Sequence, residues 1–279
     1  MQQIVITGAS GFLGRNLLKY FRDSGIDCLG VSRSRVPGLH RVENYADTPV
    51  GDCLIHCAET SDRSLANTRG NALETEARCT LSALHSKGFR HVVYTSSAVL
   101  YGDRGDTPRQ INDPVVVNDA YTRIKHASEI SVLNHGGTVV RLANLYGPGM
   151  ATNNVISHIL KQLGNDGNIT MQTLDPIRDF LWINDAVNAL SIVCKKRPKG
   201  VFNVGSGQGI SIRQLVSLAK NIAMSDQSVV GLFNLDHPSH LVLDISSTSQ
   251  LLNWKPRKEL KAGIEDLINM TTKLQTNDL

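Results

Sequence analysis

Tyr121 and Lys125 stand four residues apart in the run Tyr-Thr-Arg-Ile-Lys. On a helix that spacing places them one turn apart on the same face. A phenol ordinarily loses its proton near pH 10, too high for ready exchange at neutrality. A neighbouring ammonium stabilises the phenolate and lowers that pKa, which makes Tyr121 a usable general acid or base. Alone the pair proves little, because Tyr-x-x-x-Lys recurs by chance as a core tyrosine and a solvated lysine. Ser97 supplies the context. It ends Val92-Val-Tyr-Thr-Ser-Ser97, a strand-forming run that finishes in hydroxyls. A serine there can hydrogen-bond an oxygen whose carbon gains or loses hydride. Beside a nicotinamide ring, Ser97, Tyr121 and Lys125 could interconvert an alcohol and a ketone.

The N-terminus offers a place for such a ring. Ile4-Val-Ile6 reads as a buried strand, and Gly8, Gly11 and Gly14 as a tight turn. Residues 15–25 read as an amphipathic helix with Leu17, Leu18 and Phe21 on one face. Strand, glycine turn and helix in that order open a dinucleotide-binding βαβ unit. The glycines let the backbone approach a pyrophosphate, and the helix N-terminus presents free N–H groups to it. A glycine pattern without those flanking elements would be weak evidence; here both are present.

The remaining elements must hold these groups together. Strands are expected at Cys28–Ser32, near His40–Tyr45, at Asp52–Ala58, His91–Thr95 and Thr138–Leu142. Long helices are expected over about Ser61–Lys87 and Asn118–Asn134. The connection Ala46–Gly51 is too short for a crossover helix. This alternation predicts an α/β fold, a doubly wound parallel sheet of Rossmann type. From Met150 the rhythm loosens, with helices near Val155–Leu163, Ile183–Lys195, Ile212–Ala223 and Ile264–Thr272. Strands are expected near Ile169–Thr173 and at Phe202-Asn-Val-Gly, and the tail 276–279 is expected to fray. The chain therefore divides into a dinucleotide-binding domain, 1–147, to which 178–204 returns, and a smaller interwoven C-terminal substrate lobe, 148–177 and 205–279. Ligands should lie at the carboxyl ends of the strands, facing that lobe.

Composition narrows the partners. The 279 residues are 41% hydrophobic and 19% charged, enough for a substantial core. A net charge of +4 suits a polyanionic small ligand, and no basic block suggests nucleic acid. Five cysteines include no second pair at zinc-ligand spacing, so reduced thiols and no metal are expected. With no apolar run of membrane-spanning length, the expectation is a soluble, cytoplasmic protein without a membrane partner.

Taken together, these motifs resemble the extended short-chain dehydrogenases/reductases, in the NAD-dependent epimerase/dehydratase family that acts on nucleotide sugars. The resemblance rests on Thr7-Gly-Ala-Ser-Gly-Phe-Leu-Gly14, Asp52…His56-Cys-Ala58, Tyr94-Thr-Ser-Ser-Ala-Val-Leu-Tyr-Gly102 and Tyr121-x-x-x-Lys125 with Glu129. It continues through Arg141-Leu-Ala-Asn-Leu-Tyr-Gly-Pro148, Arg178–Asp185, Phe202–Gly207 and Asp244…Pro256. It implies that Ser97 bonds the reacting oxygen, that Tyr121 moves its proton, and that Lys125 binds the nicotinamide ribose. It implies cofactor contacts at Gly8, Gly11, Phe12, Leu13, Gly14, Cys57 and Ala58. Asn144 and Arg178 would hold a substrate diphosphate, with Asn154 as a further contact. Arginine suits the role because its planar fork bonds phosphate oxygens in pairs. The alternative for Arg178 is an ion pair with Asp179. His56 reads as a strand-end residue near the cofactor and His158 as a helix surface residue. A homodimer through the two long helices is also implied.

Departures from the family pattern refine this. The second strand ends in Ser32-Arg33 where NAD users place an acidic residue, so NADP(H) is preferred and NAD(H) remains possible. Ala98-Val99 replaces the Asp-Glu of the dehydratases, and Val99 replaces the cysteine of the bifunctional epimerase–reductases. His237 stands where the family often has a diphosphate-binding arginine. The favoured reading is an NADPH-dependent reductase of a nucleotide-linked 4-keto-6-deoxy sugar. A nucleotide-sugar 4-epimerase using bound NAD and a non-catalytic dinucleotide sensor are the alternatives.

Overall fold

The computed structural model describes residues 3–163 and 165–277, with side chains through Met270. The chain opens with β1 (Ile4–Thr7), α1 (Phe12–Asp23), β2 (Cys28–Ser32) and β3 (His40–Arg41). β4 (Cys53–His56) leads into α2 (Arg63–Arg69) and α3 (Asn71–Ser86). β5 (His91–Ser97) leads into α4 (Ala120–Asn134) and β6 (Thr138–Leu142). Then come β7 (Asn144–Tyr146), α5 (Val155–Leu163), β8 (Ile169–Met171), β9 (Ile177–Trp182) and α6 (Ile183–Lys196). β10 (Gly200–Val204), β11 (Gly209–Ser211), α7 (Ile212–Ala223) and β12 (Val229–Gly231) follow. β13 (His240–Leu241), α8 (Ser246–Leu252) and α9 (Leu260–Asn277) close the described chain.

Seven strands form one parallel sheet in the order β10-β6-β5-β4-β1-β2-β3. The order reverses beside β1, where β2 and β4 flank it on opposite sides, and such a reversal opens a ligand crevice at the strands' carboxyl ends. The register brings those ends level: Thr7 pairs with His56, His56 with Tyr94, and Ser97 with Leu142. Val5, Ile6, Leu54, Ile55, Val93 and Val140 are fully buried, as expected of strands covered on both faces. The doubly wound parallel sheet read from the alternation is the fold.

A second, four-stranded sheet centres on β9, which pairs with β7 and β13 in parallel and with β11 antiparallel. β8 and β12 form a separate two-stranded ribbon. β10 pairs with β6 in the large sheet, and α6 packs on α1. Leu241, Leu243, Leu252 and Trp254 are also buried in the core of the large sheet, so the C-terminal part of the chain returns to that core.

Several local expectations change. The helix expected over Ser61–Lys87 is two helices, because Gly70 takes φ +50° and ψ −127°. Asp62 caps the first, accepting from Leu65 N–H at 3.0 Å. The short Ala46–Gly51 connection includes the end of a single 3₁₀ turn, Tyr45–Asp47. α4 starts at Ala120 because Asp119 and Thr122 form a reciprocal capping box. α9 runs to Asn277, well past Thr272, and residues 278 and 279 of the tail lie outside the described residues. No helix among the described residues is long and apolar enough to cross a membrane.

Candidate active site

The glycine turn needs its glycines for contact as well as for conformation. Gly8 has φ +69°, and a Cβ there would lie 2.6 Å from the Cys57 carbonyl oxygen. A Cβ on Gly14 would strike the Gly8 carbonyl oxygen. β1, the turn and α1 can therefore pack closely against the end of β4. The first turn of α1 carries no acidic side chain and no side-chain cap, leaving its N–H groups open to an anion.

A cavity of about 870 Å³ lies over this turn. Its wall includes Gly8, Gly11, Phe12, Leu13 and Gly14, together with Cys57 and Ala58. Ser97, Tyr121 and Lys125 line the same cavity. β5 delivers Ser97, whose Oγ accepts the Val99 N–H at 3.3 Å as the chain turns out of the sheet. α4 delivers Tyr121 and Lys125, both buried, with Lys125 Nζ 6.0 Å from the Tyr121 ring centre and 5.0 Å from that of Tyr94. The Tyr121 N–H donates to Asn67 Oδ1 at 3.2 Å, tying the start of α4 to α2.

Lys125 Nζ donates to the Thr95 carbonyl at 3.3 Å and pairs with Glu59 Oε2, also at 3.3 Å. Burial pulls the lysine down, but Glu59, with Tyr121 and Cys57, outweighs it and leaves Lys125 above its ordinary range. Burial takes the His56 imidazole down to about 4 and pushes the Cys57 thiol up to about 12, so both are neutral near pH 7. His56 is bonded to Thr7 Oγ1 at 2.8 Å and stacks on Tyr94, the place of a strand-end residue.

Ser32, which ends β2, and Arg33 after it lie outside this cavity. Ser32 is fully buried, donating to Ser10 Oγ at 3.0 Å and accepting from Ser34 N–H at 3.1 Å. Arg33 lines an adjoining cavity of about 280 Å³, where it pairs with Glu76 at 2.6 Å and lies 5.2 Å from the Tyr45 ring centre. Arg69 pairs with the same carboxylate at 3.2 Å.

On the other side, Asn144 and Asn154 line both the main cavity and a third, of about 630 Å³, that Arg178 also lines. The Arg178 guanidinium donates to Ser239 Oγ at 2.6 Å and to the carbonyls of Ile177 and Ser239. The alternative pair with Asp179 does not form. The Asp179 carboxylate is buried and accepts from Ser206, Gly207 and Leu243 instead. Asn144 Nδ2 donates to the Asp179 carbonyl, while Asn154 caps α5 by accepting from Ser157 N–H at 2.9 Å. His158 is exposed on α5, its ring bonded to the Thr170 carbonyl at 3.2 Å.

Residues 4–205 match the NAD dependent epimerase/dehydratase family. The chain belongs to that family. It is an enzyme of the extended short-chain dehydrogenase/reductase type. Over an alignment of 299 positions it is 22% identical to CDP-abequose synthase of Salmonella typhimurium strain LT2, covering 96% of this chain and 97% of that protein. Over an alignment of 309 positions it is 24% identical to dTDP-4-dehydro-6-deoxyglucose reductase of Escherichia coli, covering 95% and 96%. A solved structure of RMD from Pseudomonas aeruginosa complexed with NADPH has a TM-score of 0.85 at 23% identity, covering 96% of this chain and 98% of that one. At that identity the likeness speaks for the fold.

Members of the epimerase/dehydratase family use nicotinamide dinucleotides, and the residues present fit one. The glycine cradle leaves no room for a Cβ at Gly8 or Gly14, and the α1 N-terminus is open. Ser96 Oγ, in the cavity wall, is buried without a hydrogen-bond partner among the described residues. Thr95, Ser96 and Glu59 escaped the sequence reading, although an acidic residue just past an apolar strand, at the sheet's ligand edge, was a signal for the last.

Proposed function

We propose that this enzyme is an NADPH-dependent reductase of a nucleotide-linked 4-keto-6-deoxy sugar. The observation that carries the reading is the gathering of Ser97, Tyr121 and Lys125 on the cavity that the glycine turn floors. A bound nicotinamide dinucleotide supplies the hydride. Tyr121 gives its hydroxyl proton to the sugar's carbonyl oxygen as the ketone becomes an alcohol, and Ser97 Oγ donates a hydrogen bond to that oxygen. Lys125 spends two of its three N–H groups on Thr95 and Glu59, leaving one for the nicotinamide ribose. Arg33 receives the adenosine 2′-phosphate from the adjoining cavity, which favours NADP(H) over NAD(H). Arg178, Asn144 and Asn154 hold the substrate diphosphate in the third cavity. The homodimer of the reading would pair the outer faces of α3 and α4, and sedimentation velocity tests it.

The deciding assay mixes the enzyme and NADPH with CDP-, dTDP-, GDP- or UDP-linked 4-keto-6-deoxy sugars. Stoichiometric loss of NADPH absorbance with formation of the 4-hydroxy sugar is expected. Interconversion of the corresponding 4-hydroxy sugars, supplied in a parallel assay, without net NADPH loss would replace the reductase by a 4-epimerase. Absence of turnover with every sugar, alongside dinucleotide binding, would replace it by a sensor.

A further inference from the structure

Glu59 follows β4 and turns its carboxylate inward, with its side chain only 7% exposed. Every polar group recorded around that carboxylate is a donor. Lys125 Nζ lies 3.3 Å from Oε2, the Tyr94 hydroxyl donates to the same oxygen, and Ser128 Oγ donates to Oε1 at 2.6 Å. Lys125 and Ser128 are three residues apart on α4, so one face of that helix presents both to Glu59.

We infer that Glu59 is the positioning residue of the active-site lysine, aiming Lys125 Nζ into the dinucleotide cavity and keeping it cationic. The inference rests on the reading of Lys125 as the ribose-binding residue. An ammonium on a four-carbon stem is a mobile point charge, and the Thr95 carbonyl alone would leave it several directions. The carboxylate removes that freedom because two further donors from β5 and α4 fix it in turn. With two N–H groups so engaged, the third is left for the cavity that Lys125 lines.

Charge points the same way. A buried ammonium without a counter-ion releases its proton more readily. Lys125 is buried, and its titratable neighbours are His56 ending β4, Cys57 and Glu59 following it, Tyr94 from β5, and Tyr121 on α4. Burial leaves His56 neutral and keeps the Cys57 thiol and the Tyr94 phenol protonated through the mildly alkaline range. The Glu59 carboxylate therefore answers the lysine's charge. Replace it with an amide and Lys125 should lose its proton at lower pH.

The experiment measures NADPH and NADH binding to the purified full chain by fluorescence, from about pH 7 to about pH 9.5. Wild type, Glu59→Gln, Ser128→Ala and Lys125→Met are compared, and the series is repeated in a Tyr121→Phe background to isolate the lysine's contribution. Lys125→Met should bind more weakly at every pH. Glu59→Gln should start within a few-fold of wild type and lose roughly a further tenfold across the range, as a lysine pKa about two units below its ordinary 10.4 requires. Ser128→Ala keeps the ion pair and should follow the wild-type profile, whereas a merely structural role would move both variants alike. A Glu59→Gln profile parallel to wild type overturns the positioning role and leaves the Lys125 reading intact. Undiminished binding by Lys125→Met removes both. Should Glu59→Gln fail to fold, Glu59→Asp decides. It retains the charge, so uniform weakening with the wild-type pH dependence is expected, and wild-type affinity throughout would overturn the inference.

Discussion

α4 carries two buried ion pairs one turn apart, and they are built differently. At Lys125 the contact to Glu59 is single, 3.3 Å long, and opens onto the main cavity. At Glu129 the Arg141 guanidinium of β6 bonds both carboxylate oxygens, at 3.0 and 2.7 Å, and neither residue lines that cavity. The Tyr101 ring lies 4.6 Å from the same guanidinium, sealing it further. The bidentate pair ties helix to strand, and the remaining Arg141 Nη1 is buried with no partner among the described residues. The single contact leaves an N–H over on the cavity wall. A buried pair sealed away from the cavity is architecture; one whose ammonium lines the cavity is available to a ligand.

The contrast can be broken from either end. Tyr121→Phe, at the open end, should lower keto-sugar turnover by roughly 10²- to 10⁴-fold with dinucleotide binding retained, as steady-state kinetics and NADPH titration would show. A loss of stability of matching size would erase the distinction. Glu129→Ala, at the closed end, strands a buried guanidinium and should cost about 3–5 kcal/mol in urea unfolding. The double change Glu129→Leu with Arg141→Met should restore much of that loss, because no unpaired charge remains.

Alkaline titration sharpens the comparison. Lys125 sits above its ordinary value in the fold, so its pair stabilises fully below the unfolded lysine pKa, about 10.4, and fades as pH rises through the folded one. Arg141 stays charged throughout. Wild type should lose stability above about pH 10, at no more than about 1.4 kcal/mol per pH unit from this group, a slope that Lys125→Met lacks. The smallest effect expected is at the adjoining cavity. Arg33→Ala should weaken NADPH about tenfold and NADH hardly at all, since one phosphate contact is at stake. Equal weakening of both would mean that Arg33 serves adenine, not a phosphate.

The sheet and the glycine turn were legible in the sequence because each is written locally. Ile4-Val-Ile6, the glycines and Leu17, Leu18 and Phe21 declare strand, turn and helix face within one short run. Tyr121 and Lys125 were legible for the same reason: four residues on a helix fix their relation. The break at Gly70 was hidden because one glycine within a helical pattern is usually tolerated. β11 and β13 were hidden because strands of two or three residues carry no periodicity and form only where β9 offers an edge.

Order along the chain thus determined which elements form and which residues end them, since propensity and hydrophobic period act over a few residues at a time. Tertiary structure alone decided that Glu59, 66 positions before Lys125 in the chain, would meet it, and that Arg178 would turn to Ser239 and away from its neighbour Asp179. Such pairings depend on how sheet register and helix packing bring distant segments together, and on burial making an unanswered charge too costly to leave.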